Sequence, residues 1–504
     1  MVAVAYTVAF EGVEARLVEV QCAVSAGLPS FSVVGLPDKA VSEARERIRA
    51  AFASLAIAMP SRRVTVNLSP ADMPKEGSHF DLPIALAILA AIDVIPRDKL
   101  EQVISLGELA LDGRLVAVGG ALPAAMTAAA TDRLLICPKA SGAEAAWLES
   151  VTVHAAPALR QAVEHLTGRV PLPAAVAGEI RNGHDRGDLR DIKGQESLKR
   201  AVEIAAAGRH HMLMVGPPGA GKSMIVARLP GLLPPLTPIE ALETSMIHSL
   251  AGTLGEGGIS RDAPFREPHH TASMAAIVGG GRGAKPGEIS LAHNGVLFMD
   301  EFPEFPRAVL ETLRQPVETG EVVVARANAH IRYPCRFLLI AAANPCRCGQ
   351  LADPSRCCAR APVCGEDYMR RISGPLMDRF DLRIEVPAVS VDDLALPPSS
   401  EGSAEVARRI ADARALQLTR YDGHASVRVN ADLSGAALEE VAGPDREGQD
   451  LIRRASDRLG LTARGYHRIL RTARTIADLA QSATVRAPHV AEAISYRLAF
   501  ARGV

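Results

Sequence analysis

The sequence predicts a multidomain chain combining α/β and α+β architecture, and three observations carry that prediction. The octapeptide GPPGAGKS at 216–223 sits between a short apolar run, HMLMV (211–215), and a helical pattern, MIVARLPGLL. This is the strand–loop–helix context of a phosphate-binding loop. Residues 1–170 alternate short apolar runs with Gly/Pro turns and two helical patterns, whereas the stretch after 404 is helical throughout. Two Pro- and Gly- or Ser-rich stretches, 171–188 and 394–403, read as linkers between these parts. The expected division is therefore 1–170, 189–393 and 404–504, in line with the roughly three domains that the length suggests.

Bulk composition narrows the function classes. Hydrophobic residues make up 48% of the 504, enough for real cores, yet no apolar run is long enough to span a bilayer. The opening MVAVAYTVAFEGVEARL lacks the basic flank and cleavage site of a signal peptide and reads as a first strand, so a cytoplasmic protein without membrane contact is expected. A formal net charge of −1 gives no global basic signal, so contact with nucleic acid has to come from local patches.

Taken in order, 13–24 and 62–68 read as strands, the latter with period-2 alternation. Residues 38–55 read as an amphipathic helix with Val41, Ala44, Ile48, Ala51, Phe52 and Leu55 on one face. FDLPIALAILAAI (80–92) reads as a buried helix and 103–120 as a hairpin around Asp112-Gly113. Residues 191–208 give a helix ahead of the phosphate-loop strand. EVVVARANAHIRYPCRF (321–337) reads as a β-hairpin with its tip near Asn328. Helices are expected over 405–421, 432–441 and, as one long element, 451–480.

The chemistry starts at the loop. Gly216, Gly219 and Gly221 let the backbone wrap so that amide N–H groups face phosphate oxygens, with Pro217, Pro218 and Ala220 completing the turn. Lys222 reaches the β/γ-phosphates and Ser223 places a hydroxyl on Mg²⁺, so ATP and Mg²⁺ are the expected cofactors. GVLFMDEF (295–302) is a continuous apolar strand ending in Asp300-Glu301. In that position Asp300 holds the Mg²⁺, and Glu301 orients and deprotonates the attacking water. Five of the eight cysteines fall between Cys346 and Cys364. Cys346, Cys348, Cys358 and Cys364 make a candidate Zn²⁺ set, with Cys357 competing for the Cys358 place; the alternative is reduced, unligated thiols.

Several segments resemble known families. PKEGSHFDLPIALAILAA and LGELALDGRLVAVGGALPAAM resemble the proteolytic domain of Lon-type proteases, which implies that fold for 1–170. The nucleophile position carries His79, beside Ser78, and the lysine position carries Leu122. A hydroxyl without its adjacent base is a weak nucleophile, so no peptidase activity is expected. The rest resembles ring ATPases of the AAA+ class, which implies further roles. Asp191, Ile192 and Gln195 would lie along the adenine, and Asn344, closing the strand FLLIAAANP, would act as a sensor. Arg379 in SGPLMDRFDL would enter the neighbouring subunit's site, a surface ion pair with Asp378 or Asp381 being the alternative. Arg464 would meet the γ-phosphate from a helical lid, with Arg468 one turn on. The extra sequence between the two nucleotide motifs, 265–295, and the hairpin at 321–337 resemble the helix-2 insert and pre-sensor hairpin of the branch holding magnesium chelatase subunits and replicative helicases. Arg282, Lys285, Arg326, His330 and Arg332 there either track a DNA backbone or are solvated loop charges.

Longer strings, among them GLPSFSVVGLPDKAVSEARERIRAA, FREPHHTAS and GEISLAHNGVLFMDEFPEF, resemble the ComM/YifB family of magnesium-chelatase-like AAA+ proteins. That resemblance implies a homohexameric ATPase moving on single-stranded or branched DNA, promoting branch migration of incoming DNA in natural transformation. A chelatase-type ATPase that remodels a protein partner is the competing reading.

Overall fold

The computed structural model describes residues 2–498 apart from 180–186, 255–257, 282–283, 327–328, 352–356, 396, 398 and 425–426. Two large sheets organise it. The first is built from β1 (Val2–Glu11), β2 (Glu14–Ser25), β3 (Ser30–Val34), β4 (Arg63–Ser69) and β5 (Val103–Ser105). Next come β6 (Glu108–Leu109) and β7 (Leu115–Val116), which form a separate small hairpin, then β8 (Leu134–Pro138) and β9 (Val153–Ala156). The seven-stranded order is β3-β4-β2-β1-β5-β8-β9, antiparallel where β2 meets β1 and β4, and parallel from β1 through β5 and β8 to β9. The expected hairpin over 103–120 is thus divided. Its first residues join the main sheet, and only the part around Asp112-Gly113 turns back on itself.

Helix Lys39–Ser54 starts where Asp38 accepts the Val41 amide at 2.7 Å, the expected N-cap geometry. It buries Val41, Ala44, Ile48, Ala51 and Phe52 against the sheet, while Leu55 sits past its end. Helix Asp81–Ala91 is buried along its length, as its unbroken apolar sequence requires. Its one charge, Asp81, is met by Arg47 at 2.6 Å and the Leu109 amide at 3.1 Å. Part of the 171–188 stretch folds back, with the Ala175 amide donating to Val153 at 2.7 Å.

The second sheet follows β10 (Met212–Val215) and comprises β11 (Phe265–Arg266), β14 (Val296–Met299), β17 (Leu338–Ala343) and β18 (Leu382–Glu385). Its order is β11-β14-β17-β10-β18, every pair parallel. Between these strands lie two small hairpins, β12 (Gly279–Gly280) with β13 (Lys285–Pro286) and β15 (Glu321–Arg326) with β16 (Ala329–Pro334). Alternate strand residues feed two cores, as a parallel sheet covered on both faces must. Met212, Met214, Phe298 and Ile340 pack with the C-terminal helices, and Leu213, Leu297, Met299 and Leu339 with the β15–β16 side.

Two expected helices are broken. The segment after the phosphate loop forms Lys222–Val226 and then Leu229–Leu232, because Pro230 cannot continue the first helix and sits instead in the first turn of the second. The single helix expected over 451–480 is two, Arg446–Leu459 and Ala463–Leu479. Gly460 ends the first in a left-handed conformation and Thr462 caps the second, accepting the Gly465 amide at 3.0 Å. A further helix, Ala487–Leu498, packs on these.

The C-terminal helices are held by a buried polar network. Asp478 accepts Arg474 at 2.9 Å, Arg420 at 2.6 Å and Asn430 at 2.8 Å, and Arg474 is 2% exposed. Asp478→Ala leaves two guanidiniums without their carboxylate, which costs about 3–5 kcal/mol for a buried pair. The C-terminal unfolding transition in urea should move to lower concentration accordingly. Removal of the exposed Arg453–Asp450 pair in the same helical part should shift it by no more than about 1 kcal/mol.

Candidate functional site

The register of the parallel sheet builds this site. Val215 pairs with Ala343 and Met299 with Ala341, so the residues leaving β10, β14 and β17 emerge side by side. Those residues are Gly216, Asp300 and Asn344, and the crevice beyond the carboxyl ends of parallel strands is where such folds bind ligands.

Gly216 is pressed against the following chain: a Cβ there would fall 2.3 Å from the Val386 carbonyl oxygen. Gly219 and Gly221 have φ of +78° and +83° with open space where a side chain would stand, leaving a cradle bounded by backbone. Pro217, Pro218 and Ala220 complete it, and Gly349 from the cysteine loop backs onto Pro218. Lys222 donates to Gly216 O at 2.5 Å, Pro217 O at 3.0 Å and Asn344 Oδ1 at 3.3 Å. Burial lowers the affinity of its amine for a proton, and Asp300 opposes that. Ser223 Oγ donates to Asp300 Oδ2 at 2.8 Å, and Asp300 Oδ1 accepts the Glu301 amide at 2.8 Å. An open amide cradle, an ammonium, and a hydroxyl touching a carboxylate fit a triphosphate with a hard, oxygen-ligated cation.

Glu301 adopts a left-handed backbone, φ 49°, that turns its carboxylate off the strand axis to within 3.2 Å of His270 Nδ1. The preceding loop also brings Glu267 near Asp300; burial raises its carboxyl pKa, with Asp300 adding to the effect. His270 and Glu267 were not singled out from the sequence. They lie in FREPHH, tens of residues before the carboxylates they join, and only the pairing of β11 with β14 brings them together.

Asp191 accepts the Asp188 amide at 3.3 Å and faces Arg228 at 3.5 Å, Ile192 is buried, and Gln195 donates to Pro387 O at 2.8 Å. Since Val386 backs Gly216, this segment runs beside the phosphate loop.

Arg379 departs from the exposed position expected for a residue reaching into another subunit. Its guanidinium donates to Arg314 O at 2.9 Å and Pro375 O at 2.7 Å and pairs with Glu318, and its side chain is 8% exposed. The surface pair with Asp378 or Asp381 is not formed either. Asp378 faces Arg383 and Arg497, and Asp381 holds Arg468 at 2.5 Å. Arg464 also pairs with Glu318, at 2.9 Å, so both arginines converge on one carboxylate. Among the insert and hairpin cations, Lys285 is exposed on β13 and Arg332 lies 3.7 Å from Glu321. Arg282, Asn328 and the side chains of Arg326 and His330 lie outside the described residues.

In the cysteine loop, Cys346 and Cys348 are 3.1 Å apart, sulfur to sulfur. Hydrogen bonds from Cys346 above all hold the Cys348 thiol down at about 7, and the Cys358 contact pushes Cys364 up to about 11. Among the described residues no group of three or more His, Cys, Asp or Glu side chains is disposed to hold a metal ion, so the zinc expectation finds no support. Likewise, no described helix is long and apolar enough to cross a membrane.

Comparison with known proteins gives three family models along the chain: "Magnesium chelatase, subunit ChlI" over 188–394, "Subunit ChlI of Mg-chelatase" over 18–141, and its C-terminal counterpart over 400–497. The competence protein ComM of Haemophilus influenzae is 43% identical across 98% of this chain and 97% of its own. The uncharacterized protein YifB of Escherichia coli is 40% identical across 98% and 96%. The magnesium-chelatase 38 kDa subunit of Rhodobacter capsulatus is 28% identical across 61% of this chain and 86% of its own.

Lys222→Ala is expected to abolish binding of a fluorescent ATP analogue. Glu301→Gln should bind it as the parent does while hydrolysis falls by about 10²–10⁴-fold, the contribution of a positioned base. Wild-type hydrolysis in one of these variants would remove the residue it changes from the reaction.

Proposed function

The chain belongs to the ComM/YifB family of magnesium-chelatase-like AAA+ proteins, and on that premise we propose that it is an ATP-hydrolysing ring motor that moves on DNA during natural transformation. The observation that supports hydrolysis is the convergence of Lys222, Ser223, Asp300, Glu301 and Asn344 at one sheet edge. Lys222 exchanges the two carbonyls it now holds for β/γ-phosphate oxygens. Ser223 and Asp300 would hold the Mg²⁺, which would supply positive charge against the triphosphate. Glu301, oriented by His270, takes the proton of the attacking water, and Asn344 fixes that water or the γ-phosphate. Asp191, Ile192 and Gln195 flank the base.

Arg379 and Arg464 are assigned together. Because both meet on Glu318, both belong to one face, and we place that face against the nucleotide of a neighbouring subunit in a homohexamer. A phosphate there competes with Glu318 for the two guanidiniums, and an arginine supplied in trans is worth about 10³–10⁵ in rate. The helices after 403 serve as the lid that carries Arg464. Residues 1–170 are read as a Lon-like domain retained for assembly or partner binding. The burial of both His79 and Leu122 favours that reading over a peptidase.

DNA as the substrate is supported by the near full-length likeness to a protein named for competence. Arg282, Lys285, Arg326, His330 and Arg332 are the groups proposed to follow its backbone without reading bases.

Steady-state ATPase rates with single-stranded, duplex and four-way-junction DNA at one stated salt concentration test the motor. Stimulation by one form is expected and names the substrate. Rings whose rate is indifferent to every DNA would instead support the remodelling of a protein partner. Arg379→Ala should lose hydrolysis alone and regain it in mixed rings beside Lys222→Ala subunits; wild-type behaviour at every mixing ratio would refute the trans assignment. Lys285→Ala with Arg326→Ala should flatten the salt dependence of DNA binding, by about one unit of slope for each phosphate no longer neutralised.

A further inference from the structure

Helix Ala463–Leu479 reaches the segment that carries Arg379 through two arginines one helical turn apart. Arg464 meets Glu318 at 2.9 Å, the carboxylate it shares with Arg379. Arg468 Nη1 donates to Asp381 Oδ1 at 2.5 Å. Asp381 lies two residues after Arg379, and Arg468 lies four after Arg464. Each member of the second pair is therefore tied by a short stretch of backbone to one of the two arginines that meet on Glu318.

The two contacts differ in strength. The Arg464 side chain is 47% exposed, and an ion pair open to water and salt yields easily to a competing anion. The side chains of Arg468 and Asp381 are 10% and 3% exposed. Separating such a pair strands a charge in a poor solvent, so it resists opening. Asp381 is also anchored from behind. Its Oδ2 accepts the His211 amide at 3.1 Å, and its own amide donates to the His211 carbonyl at 2.9 Å, which fixes it to the residue just before β10. Burial works against the charge, yet Arg468, with His210 and His211, holds the Asp381 carboxyl well below its ordinary range. Arg468 has no such second anchor: among the described residues its Nε is buried without a partner, and its guanidinium is held by Asp381. Arg497, from the last helix, supports the same turn by donating to the Phe380 carbonyl at 2.7 Å.

We propose that Asp381 and Arg468 are positioning residues for ATP hydrolysis: their buried pair sets the spacing between Arg379 and Arg464, so that both keep one geometry after an anion draws them from Glu318. This rests on the reading of those two arginines as a pair presented to a neighbouring subunit's nucleotide. They stand on separate elements, one ahead of β18 and one on the lid helix, and without a second tie they would move independently once Glu318 lets go. With Asp381 bonded to both His211 and Arg468, the start of β10, the Arg379 segment and the lid helix move together at this point.

The test is steady-state ATP hydrolysis, with binding of a fluorescent ATP analogue, by the full-length protein carrying Asp381→Asn with Arg468→Met. The double change removes both charges and so leaves neither stranded. Analogue affinity and KM should be unchanged, and kcat should fall by about 10²-fold, the effect of misplacing a reacting group by about 1 Å. The rate should recover in mixed rings with Lys222→Ala subunits, which present intact arginines to the variant's own nucleotide. A parental kcat in the double variant overturns the inference. Loss of analogue binding, or a rate that mixed rings fail to recover, also overturns it, since either makes the pair a structural support of its own subunit. Arg379→Ala measured alongside separates the two levels. Parental hydrolysis in that variant defeats the trans reading itself, whereas loss there beside a fully active double variant defeats only the positioning role.

Discussion

The structure depends on a single constraint: three parallel strands held in a register that ends β10, β14 and β17 on one line. Each strand carries a different group just past its last residue, and none of the three works alone. Lys222 follows the loop after β10, Asp300 follows β14, and Asn344 follows β17. Their contacts, Lys222 to Asn344 and Ser223 to Asp300, close only because Val215 sits opposite Ala343 and Met299 opposite Ala341. A one-residue slip in either pairing would turn every side chain of that strand to the opposite core. The buried alternation of Leu213, Leu297 and Leu339 against Met212, Phe298 and Ile340 is therefore also what positions the chemistry.

Much of that arrangement was legible in the sequence, for a physical reason. Parallel strands covered on both faces read as short continuous apolar runs, and HMLMV, GVLFM and FLLIAAA are such runs, the first leading into the phosphate loop at Gly216 and the other two into Asp300 and Asn344. The phosphate loop is equally local, since its glycines and Lys222 fall within eight residues. What stayed hidden depends on distant partners. The pairing of Arg379 and Arg464 through Glu318 spans sequence separations that no periodicity encodes. His270 meets Glu301 only through β11. The two broken helices were a different matter: Pro230 and Gly460 were visible as breakers, but apolar spacing continued through both and outweighed them.

The two halves of the chain are joined by a few buried polar contacts. The Gly120 amide donates to the Ser249 carbonyl at 3.2 Å and to its hydroxyl at 3.1 Å. That hydroxyl in turn donates to Glu144, which also accepts the Leu122 amide at 3.1 Å. Burial raises the Glu144 carboxyl, so the contact is strongest where the group is supplied with donors, as it is here. Gly12, with φ +65°, lets the β1–β2 turn lie on β16, where a Cβ would come within 2.6 Å of the Arg332 carbonyl oxygen. The hairpin β15–β16 is consequently clamped along one side by the first sheet.

The other end of the same hairpin is tied to the two arginines. Glu318 is followed only by Thr319 and Gly320 before β15 begins. It is the shared acceptor for Arg379, from the segment leading into β18, and Arg464, from the first turn of helix Ala463–Leu479. Any anion that draws these guanidiniums away leaves a carboxylate at the base of the hairpin without its partners. That carboxylate then favours a more solvated position. The first sheet restrains the hairpin at β16 while the arginine pair restrains it at the start of β15, so the element is held from two directions by contacts of different kinds. Release at Glu318 alone leaves in place the Gly12 contact, the buried side chains of Val322, Val324, Ile331 and Tyr333, and the hydrogen bond from Tyr333 to Ala284 O at 2.9 Å.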